Sequence, residues 1–149
     1  MIHFVDNYIG SFFVNCISED SVSTLDQWLL RMQFRVYWMS SNGVVDEGSL
    51  MDAVRAAIGR TVSGPEPSRS WDAGADHVWD ELMDREDKRV AIVWRGADEM
   101  LEGRLELLLD GIEWLNRIAS EVMEHDKIEM RLCLLGRGPS FPHMEASAE

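Results

Sequence analysis

The chain has 149 residues, of which 46% are hydrophobic, and it carries 27 Asp and Glu against 14 Lys and Arg, for a formal net charge of −13. This balance argues against nucleic acid as a direct partner, because a polyanion is bound by Lys and Arg, and it favours a basic protein. The alternative is that the charge only maintains solubility.

The sequence carries no predicted membrane span or secretion signal. No stretch reaches the roughly 18 to 20 apolar residues that a membrane helix needs, and residues 1–17 lack a positively charged leader. Cys16 and Cys133 have no metal-ligand or redox spacing, so we expect two unbonded thiols in a protein of the cytoplasm.

The predicted elements begin with a hairpin or paired short strands in residues 2–17. A helix follows over residues 21–32, and a strand over 34–39. Leu50, Val54, Ala57 and Ile58 recur at helical spacing, with Ser49 as the predicted cap.

The second half of the chain continues the alternation of helices and strands. Two prolines predict a loop over residues 63–70, and apolar spacing predicts a helix over 72–84. The almost wholly apolar run 90–94 suits a strand buried on both faces of a parallel sheet. The remaining predictions are a short connecting element at 96–103, a long amphipathic helix over 104–124 that can bend at Gly111, a strand over 130–135, and a loosely packed tail from Gly136.

No catalytic motif accompanies these elements. The sequence contains no phosphate-binding glycine loop, no nucleophile elbow and no Cys/His cluster at metal spacing. The four histidines are scattered along the chain. We therefore expect neither an enzyme nor a bound cofactor or metal.

An acidic stripe marks the helix predicted over residues 72–84. Asp72, Asp76, Asp80 and Asp84 follow one another at intervals of four residues and so share one helix face. Their mutual repulsion costs a few tenths of a kcal/mol per pair, so stability alone does not favour this pattern. The rise of about 6 Å per step matches the spacing of successive phosphates, and the stripe could imitate a nucleic-acid backbone. The alternative is an ordinary solvated helix face.

Aromatic and acidic residues extend the predicted binding surface. Trp71 and Trp79 border the stripe as candidate packing anchors, although Trp79 is also a candidate core residue. Glu121 and Glu124 place acids near the end of the long helix, where the helix dipole favours bases. The full set of candidate partner-binding residues is Trp71, Asp72, Gly74, Asp76, Trp79, Asp80, Met83, Asp84, Glu121 and Glu124.

With these features, the sequence resembles the barstar family over about residues 34–135. The family's signature is aromatic-Gly-x-Asn-x-Asp-Ala-Leu-Trp-Asp, and Trp71, Asp76, Trp79 and Asp80 stand at its aromatic, aspartate and tryptophan positions. The resemblance also implies inhibitory carboxylates near the end of the last helix, at Glu124 and Glu121. The sequence departs from the signature at four positions. Asp72 stands in place of its Gly and Gly74 in place of its Asn, and His77 and Val78 stand in place of its Ala-Leu pair.

The resemblance implies an α/β fold with a three-stranded parallel sheet and helices. On this basis we expect an N-terminal β/α extension in residues 1–33, a barstar-like domain in 34–136 and a flexible tail in 137–149. The function implied is that of an immunity- or antitoxin-like inhibitor, monomeric when free, that binds a basic ribonuclease or ribonuclease-like toxin. Two alternatives are an acidic adaptor for another basic protein and a metal-dependent hydrolase that uses Asp72, Asp76 and Asp80.

Overall fold

The computed structural model describes residues 14–57 and 88–144. The elements are β1 (Val14–Ser18), a 3-10 turn (Glu19–Ser21), α1 (Val22–Arg31), β2 (Arg35–Ser40), α2 (Glu47–Ala57), β3 (Arg89–Arg95), α3 (Ala97–Gly103), α4 (Leu105–Asp126) and β4 (Glu129–Gly136). Among these residues, no helix combines the length and apolar character that crossing a membrane requires.

The strands form one parallel sheet in the order β1-β4-β3-β2. The prediction of a parallel α/β sheet is therefore confirmed, but the predicted number of three strands is wrong. The fourth strand is β1, which lies at the sheet edge and pairs in parallel with β4, from Val14 opposite Leu132 to Ser18 opposite Gly136. In residues 14–33 the expected extension is thus part of the same sheet as the rest of the described chain.

Within residues 14–57 and 88–144, helices cover the two faces of the sheet unequally. The three-helix face carries α2, α3 and α4, whose buried residues form a large cluster around Trp94 and Leu115. The single-helix face carries α1, whose Leu25, Trp28 and Leu29 pack on alternate residues of the strands. This division follows from the strand order. The connection from β1 to β2 runs across the sheet in one direction, and the connections from β2 to β3 and from β3 to β4 run in the other. Right-handed crossovers of opposite direction place their helices on opposite faces.

The strands and helices follow local sequence preferences. All five residues from Val90 to Trp94 are buried, as expected for a central strand covered on both faces. Helix α2 begins after Asp46, whose Oδ1 accepts a hydrogen bond from the Ser49 backbone N–H at 2.8 Å. The Ser49 hydroxyl accepts the Asp46 backbone N–H in return, at 3.0 Å. The prediction of Ser49 as the cap is wrong, because Asp46 is the cap and Ser49, the third residue of α2, returns its hydrogen bond.

Gly111 marks a close contact inside the core. A Cβ at this position would lie 2.9 Å from Leu50 Cδ2 and 3.3 Å from Trp94 Cη2. The glycine lets α4 approach α2 and β3 closely, and α4 continues through it as one helix from Leu105 to Asp126. The residues predicted only as a short connecting element form α3, which packs Ala97 and Met100 into the same core.

Residues 137–144 pack against the sheet, and the prediction of a loose tail is wrong for them. Phe141 and Met144 are buried, the first in the cluster of the three-helix face and the second in that of the single-helix face. The Ser18 N–H donates to the Pro142 carbonyl at 2.8 Å, and the Met144 N–H donates to Ser21 Oγ at 2.9 Å. The segment therefore crosses the carboxyl end of β1. Its two anchors are apolar residues within a stretch rich in Gly, Pro and Ser, where the turn residues dominate the local pattern.

Candidate functional site

Most of the predicted partner-binding residues lie outside the described ranges. This holds for the acidic stripe and the two aromatic anchors beside it, so their roles stay predictions. The residues concerned are Trp71, Asp72, Gly74, Asp76, Trp79, Asp80, Met83 and Asp84.

The last turns of α4 present the two predicted glutamates to solvent. Glu121 and Glu124 are both exposed, and neither forms an ion pair with another residue of the described ranges. Met123, which is 42% exposed, lies between them in sequence and adds apolar surface. This end of α4 therefore offers two carboxylates without an ion-pair partner among the described residues, a feature suited to a cationic protein surface.

The helix end that carries these acids has a defined backbone. Lys127 closes α4 in the left-handed conformation, with φ of 58°. Its backbone N–H donates to the Met123 carbonyl at 3.1 Å, and its Nζ donates to the Glu124 carbonyl at 3.3 Å. The lysine thus satisfies carbonyls of the last turn and leaves the Glu124 carboxylate free to meet a partner.

A second polar region lies at the carboxyl end of the parallel strands, the edge at which open α/β sheets bind their ligands. A cleft of about 330 Å³ opens there. Its lining comes from the ends of β1, β2 and β3, the first turn of α3 and the residue after β4: Glu19, Ser40, Ser41, Asn42, Arg95, Gly96, Asp98, Glu99 and Arg137. With three acidic and two basic side chains, the cleft is polar and of mixed charge.

Two hydrogen bonds and a close backbone contact hold the base of this cleft. Trp94, which is fully buried, donates its indole Nε1–H to Ser41 Oγ at 2.8 Å, and the Ser41 N–H donates to the Arg95 carbonyl at 2.9 Å. Gly96 has φ of 77°, and a Cβ there would come within 3.3 Å of Ser41 Cβ. The turn after β3 therefore requires glycine for both its conformation and its close contact.

Glu19 and Arg95 form an ion pair across the cleft. Arg95 Nε donates to Glu19 Oε1 at 2.9 Å, and a terminal guanidinium nitrogen of Arg95 contacts the same oxygen. The pair connects the chain after β1 with the end of β3, passing over the intervening β4. Sequence reasoning missed this contact, because the two residues are far apart in the chain and no local pattern couples them.

The two cysteines are free thiols, as predicted. Cys133 faces the core of the single-helix face, whereas Cys16, on the neighbouring strand, packs on the three-helix face. Burial raises the pKa of the Cys133 thiol to about 12 and also raises the pKa of Cys16. A thiol with a raised pKa is a poor nucleophile at neutral pH, so both cysteines act as small apolar residues.

The histidines of the described ranges, His125 and His143, are both exposed. Within residues 14–57 and 88–144, no group of three or more His, Cys, Asp or Glu side chains is arranged to hold a metal ion. The aspartates proposed for a metal-dependent hydrolase lie outside these ranges.

Comparison with known proteins adds no relative to this picture: neither the protein-family models nor the curated proteins give a match to the chain.

Proposed function

We propose that this protein is a barstar-like inhibitor, in the manner of an immunity protein or antitoxin, that binds a basic ribonuclease and blocks its active site. The inhibitory surface would consist of the helix predicted over residues 72–84 and the exposed end of α4. Asp80 would be the central anion, with Asp76 beside it, and Trp71 and Trp79 would pack around them.

The exposed carboxylates of Glu121 and Glu124 at the end of α4, which have no ion-pair partner in residues 14–57 and 88–144, carry this proposal. An acid in the last turns of a helix opposes the helix dipole, and no ion pair with another residue of the described ranges compensates either glutamate. A cationic partner would compensate both. These are also the positions at which the resemblance to the barstar family implies inhibitory carboxylates.

The fold is a second support. Strands β2, β3 and β4 form a parallel sheet flanked by helices, which is the arrangement implied for residues 34–136. The net charge of −13 would speed encounter with a basic enzyme through long-range attraction. In this view inhibition is competitive, because an aspartate in the nuclease's phosphate site leaves no room for RNA.

The proposal is tested with a basic ribonuclease that co-purifies with this protein from its native cells. We expect RNA cleavage to be suppressed at equal stoichiometry. By calorimetric titration, Asp80→Ala should weaken binding by about 2–5 kcal/mol, because removing one partner of a buried charge pair leaves the other unpaired. Glu124→Gln should weaken it less, since the exposed end of α4 is expected at the rim.

The matched control is Asp20→Ala, an exposed acid in the 3-10 turn after β1. It should bind like the wild type. Undiminished ribonuclease activity at micromolar inhibitor would overturn the proposal. Wild-type affinity for both Asp80→Ala and Glu124→Gln would place the inhibitory surface elsewhere.

A further inference from the structure

The first half of α4 and the helix before it carry exposed leucines where a solvated helix would have polar residues. Leu101, on α3, is 38% exposed, and Leu105 and Leu109, one turn apart on α4, are 46% and 53% exposed. Four exposed acids accompany them, Glu102, Glu106, Asp110 and Glu113. We call these seven residues the acidic leucine face.

The leucines of this face do not belong to the core. On α4, the residues that pack on the sheet include Leu108 and Leu115, which are buried. Leu105 and Leu109 lie one turn apart, about 6 Å along the axis, on another side of the helix. Their exposure therefore follows from the orientation of α4 on the sheet.

The carboxylates of the face are unpaired among the residues that the structure describes. None of Glu102, Glu106, Asp110 and Glu113 takes part in an ion pair there. An occupant of this surface would therefore have to supply apolar side chains opposite the leucines and cations opposite the acids.

We propose that the acidic leucine face is a docking site for a basic amphipathic helix of a partner protein. Leucines at i and i+4 form a ridge that fits between the apolar side chains of such a helix, and lysines or arginines on its flanks would meet the acids. The site goes beyond the ribonuclease-binding surface proposed above. Leu109 precedes Glu121 on α4 by roughly 18 Å of helix, so the leucines and the two glutamates are separate sets of residues on this helix.

Charge argues against two other occupants. A second copy of this chain would bring the same carboxylates against the face, and like charges at an interface are repulsive. Residues 58–87 of this chain contain eight Asp and Glu against three Arg, so their charge is also of the wrong sign.

The probe for this site is a synthetic 18-residue helical peptide made of leucine and lysine, with leucine along one side. We expect it to bind the full-length wild-type protein at micromolar concentration. The double variant Leu105→Ser/Leu109→Ser should weaken binding at least tenfold. Leu30→Ser should bind the peptide like the wild type, because Leu30 is equally apolar and 64% exposed but lies on α1.

A charge variant and a separating variant complete the experiment. Glu106→Gln/Asp110→Asn/Glu113→Gln should weaken binding and reduce its salt dependence, because fewer charges contribute to attraction. Glu121→Gln/Glu124→Gln should leave peptide binding unchanged. If that variant binds the ribonuclease more weakly while binding the peptide normally, the two sites are distinct. If ribonuclease inhibition is absent in the wild type while the peptide result holds, only the proposed function fails.

Three results would overturn the docking site. Wild-type peptide binding by the Leu105→Ser/Leu109→Ser variant would show that the peptide binds elsewhere. A wild-type dimer in sedimentation that this variant dissociates would identify a second copy as the occupant. A large loss of stability in the variant would show that the chain itself covers the leucines.

Discussion

In the described part of the chain, the two faces of the sheet bury comparable kinds of side chain under different numbers of helices. The three-helix face lies under α2, α3 and α4, and its cluster contains the buried rings of Trp94 and Trp114. The single-helix face lies under α1 and the end of the 137–144 segment. When a buried side chain is truncated, neighbours that belong to several packed elements cannot move to fill the cavity. A single helix can shift to fill it. Equal burial on the two faces therefore need not mean equal contribution to stability.

The most direct way to break this comparison uses two fully buried leucines, Leu115 on α4 and Leu29 on α1. We expect Leu115→Ala to cost about 4 kcal/mol and Leu29→Ala about 2.5 kcal/mol, within the range of such truncations and larger where the site cannot collapse. Urea unfolding of both variants measures the difference. Equal losses would show that α1 is held as firmly as the opposite layer.

The two thiols test whether protection of a side chain depends on the face that it packs against or on the position of its strand in the sheet. Cys133 lies on the interior strand β4, whereas Cys16 lies on the edge strand β1 and is half-buried. A pKa of about 12 for Cys133, against an ordinary value of 9.0, leaves about a thousandfold less thiolate at pH 8. Iodoacetamide should therefore label Cys16 first in the native protein, and in urea the two rates should converge. Faster native labelling of Cys133 would mean that the single-helix face opens.

The same thiol makes stability depend on alkaline pH. The folded pKa of Cys133 lies above its unfolded value, so the folded state retains a proton that the unfolded state releases. Its contribution is complete below about pH 9 and is lost as the pH rises toward 12. Thermal melts between pH 8 and pH 11 should fall less steeply for Cys133→Ala than for the wild type. The same pH dependence of melting temperature in both proteins would contradict the raised pKa of Cys133.

The segment 137–144 contributes a buried residue to each face, and its packing against the end of β4 can be tested. A Cβ on Gly136 would lie 2.7 Å from two ring carbons of the buried Phe141. Gly136→Ala should therefore cost about 1–3 kcal/mol by overpacking. Gly103→Ala is the matched control, because nothing lies within 4 Å of its Cβ position and alanine is the better helix former. The control should match or slightly exceed wild-type stability in the same denaturant experiment.

The smallest effect is expected at the ion pair over the carboxyl edge. Glu19→Gln removes the charge facing Arg95, whose side chain is half exposed. Solvent screens such a pair, so the loss should not exceed about 1 kcal/mol. Melts at low and high salt should converge for the wild type and the variant as screening increases. A loss as large as that of Leu29→Ala would show that this contact fixes β1 to the sheet.

Sequence reasoning performed best where one helix turn or one strand contained the signal. The apolar run at 90–94 and the spacing of Leu25, Trp28 and Leu29 identified β3 and α1, because burial on both faces or on one helix face is expressed within a few residues. It failed where the partner is distant in the chain. For residues 2–17 the sequence predicts a hairpin or paired short strands. Only residues 14–17 of this stretch are described, and there the pairing of β1 with the distant strand β4 was not foreseen.

The site was less predictable than the fold for a similar reason. Glu121 and Glu124 could be selected because both their charge and their place near a helix end are local properties. Glu19 and Arg95 became partners only through the strand order, which no window of sequence contains. The exposure of Leu105 and Leu109 was not predicted, because only the orientation of α4 on the sheet distinguishes them from the buried Leu108.

The pairing of the first described strand with the last has a kinetic consequence. Residues of β1 leave the ribosome long before those of β4, to which Val14 through Ser18 must bond. Until then the apolar side of α1 lacks Cys133 and Leu135, which complete its packing surface. Because contacts this distant in sequence slow folding, closure of the β1 edge is expected to be the late step. A nascent chain stalled before residue 129 should therefore expose α1 and be a substrate for chaperones, whereas release of β4 should end that exposure.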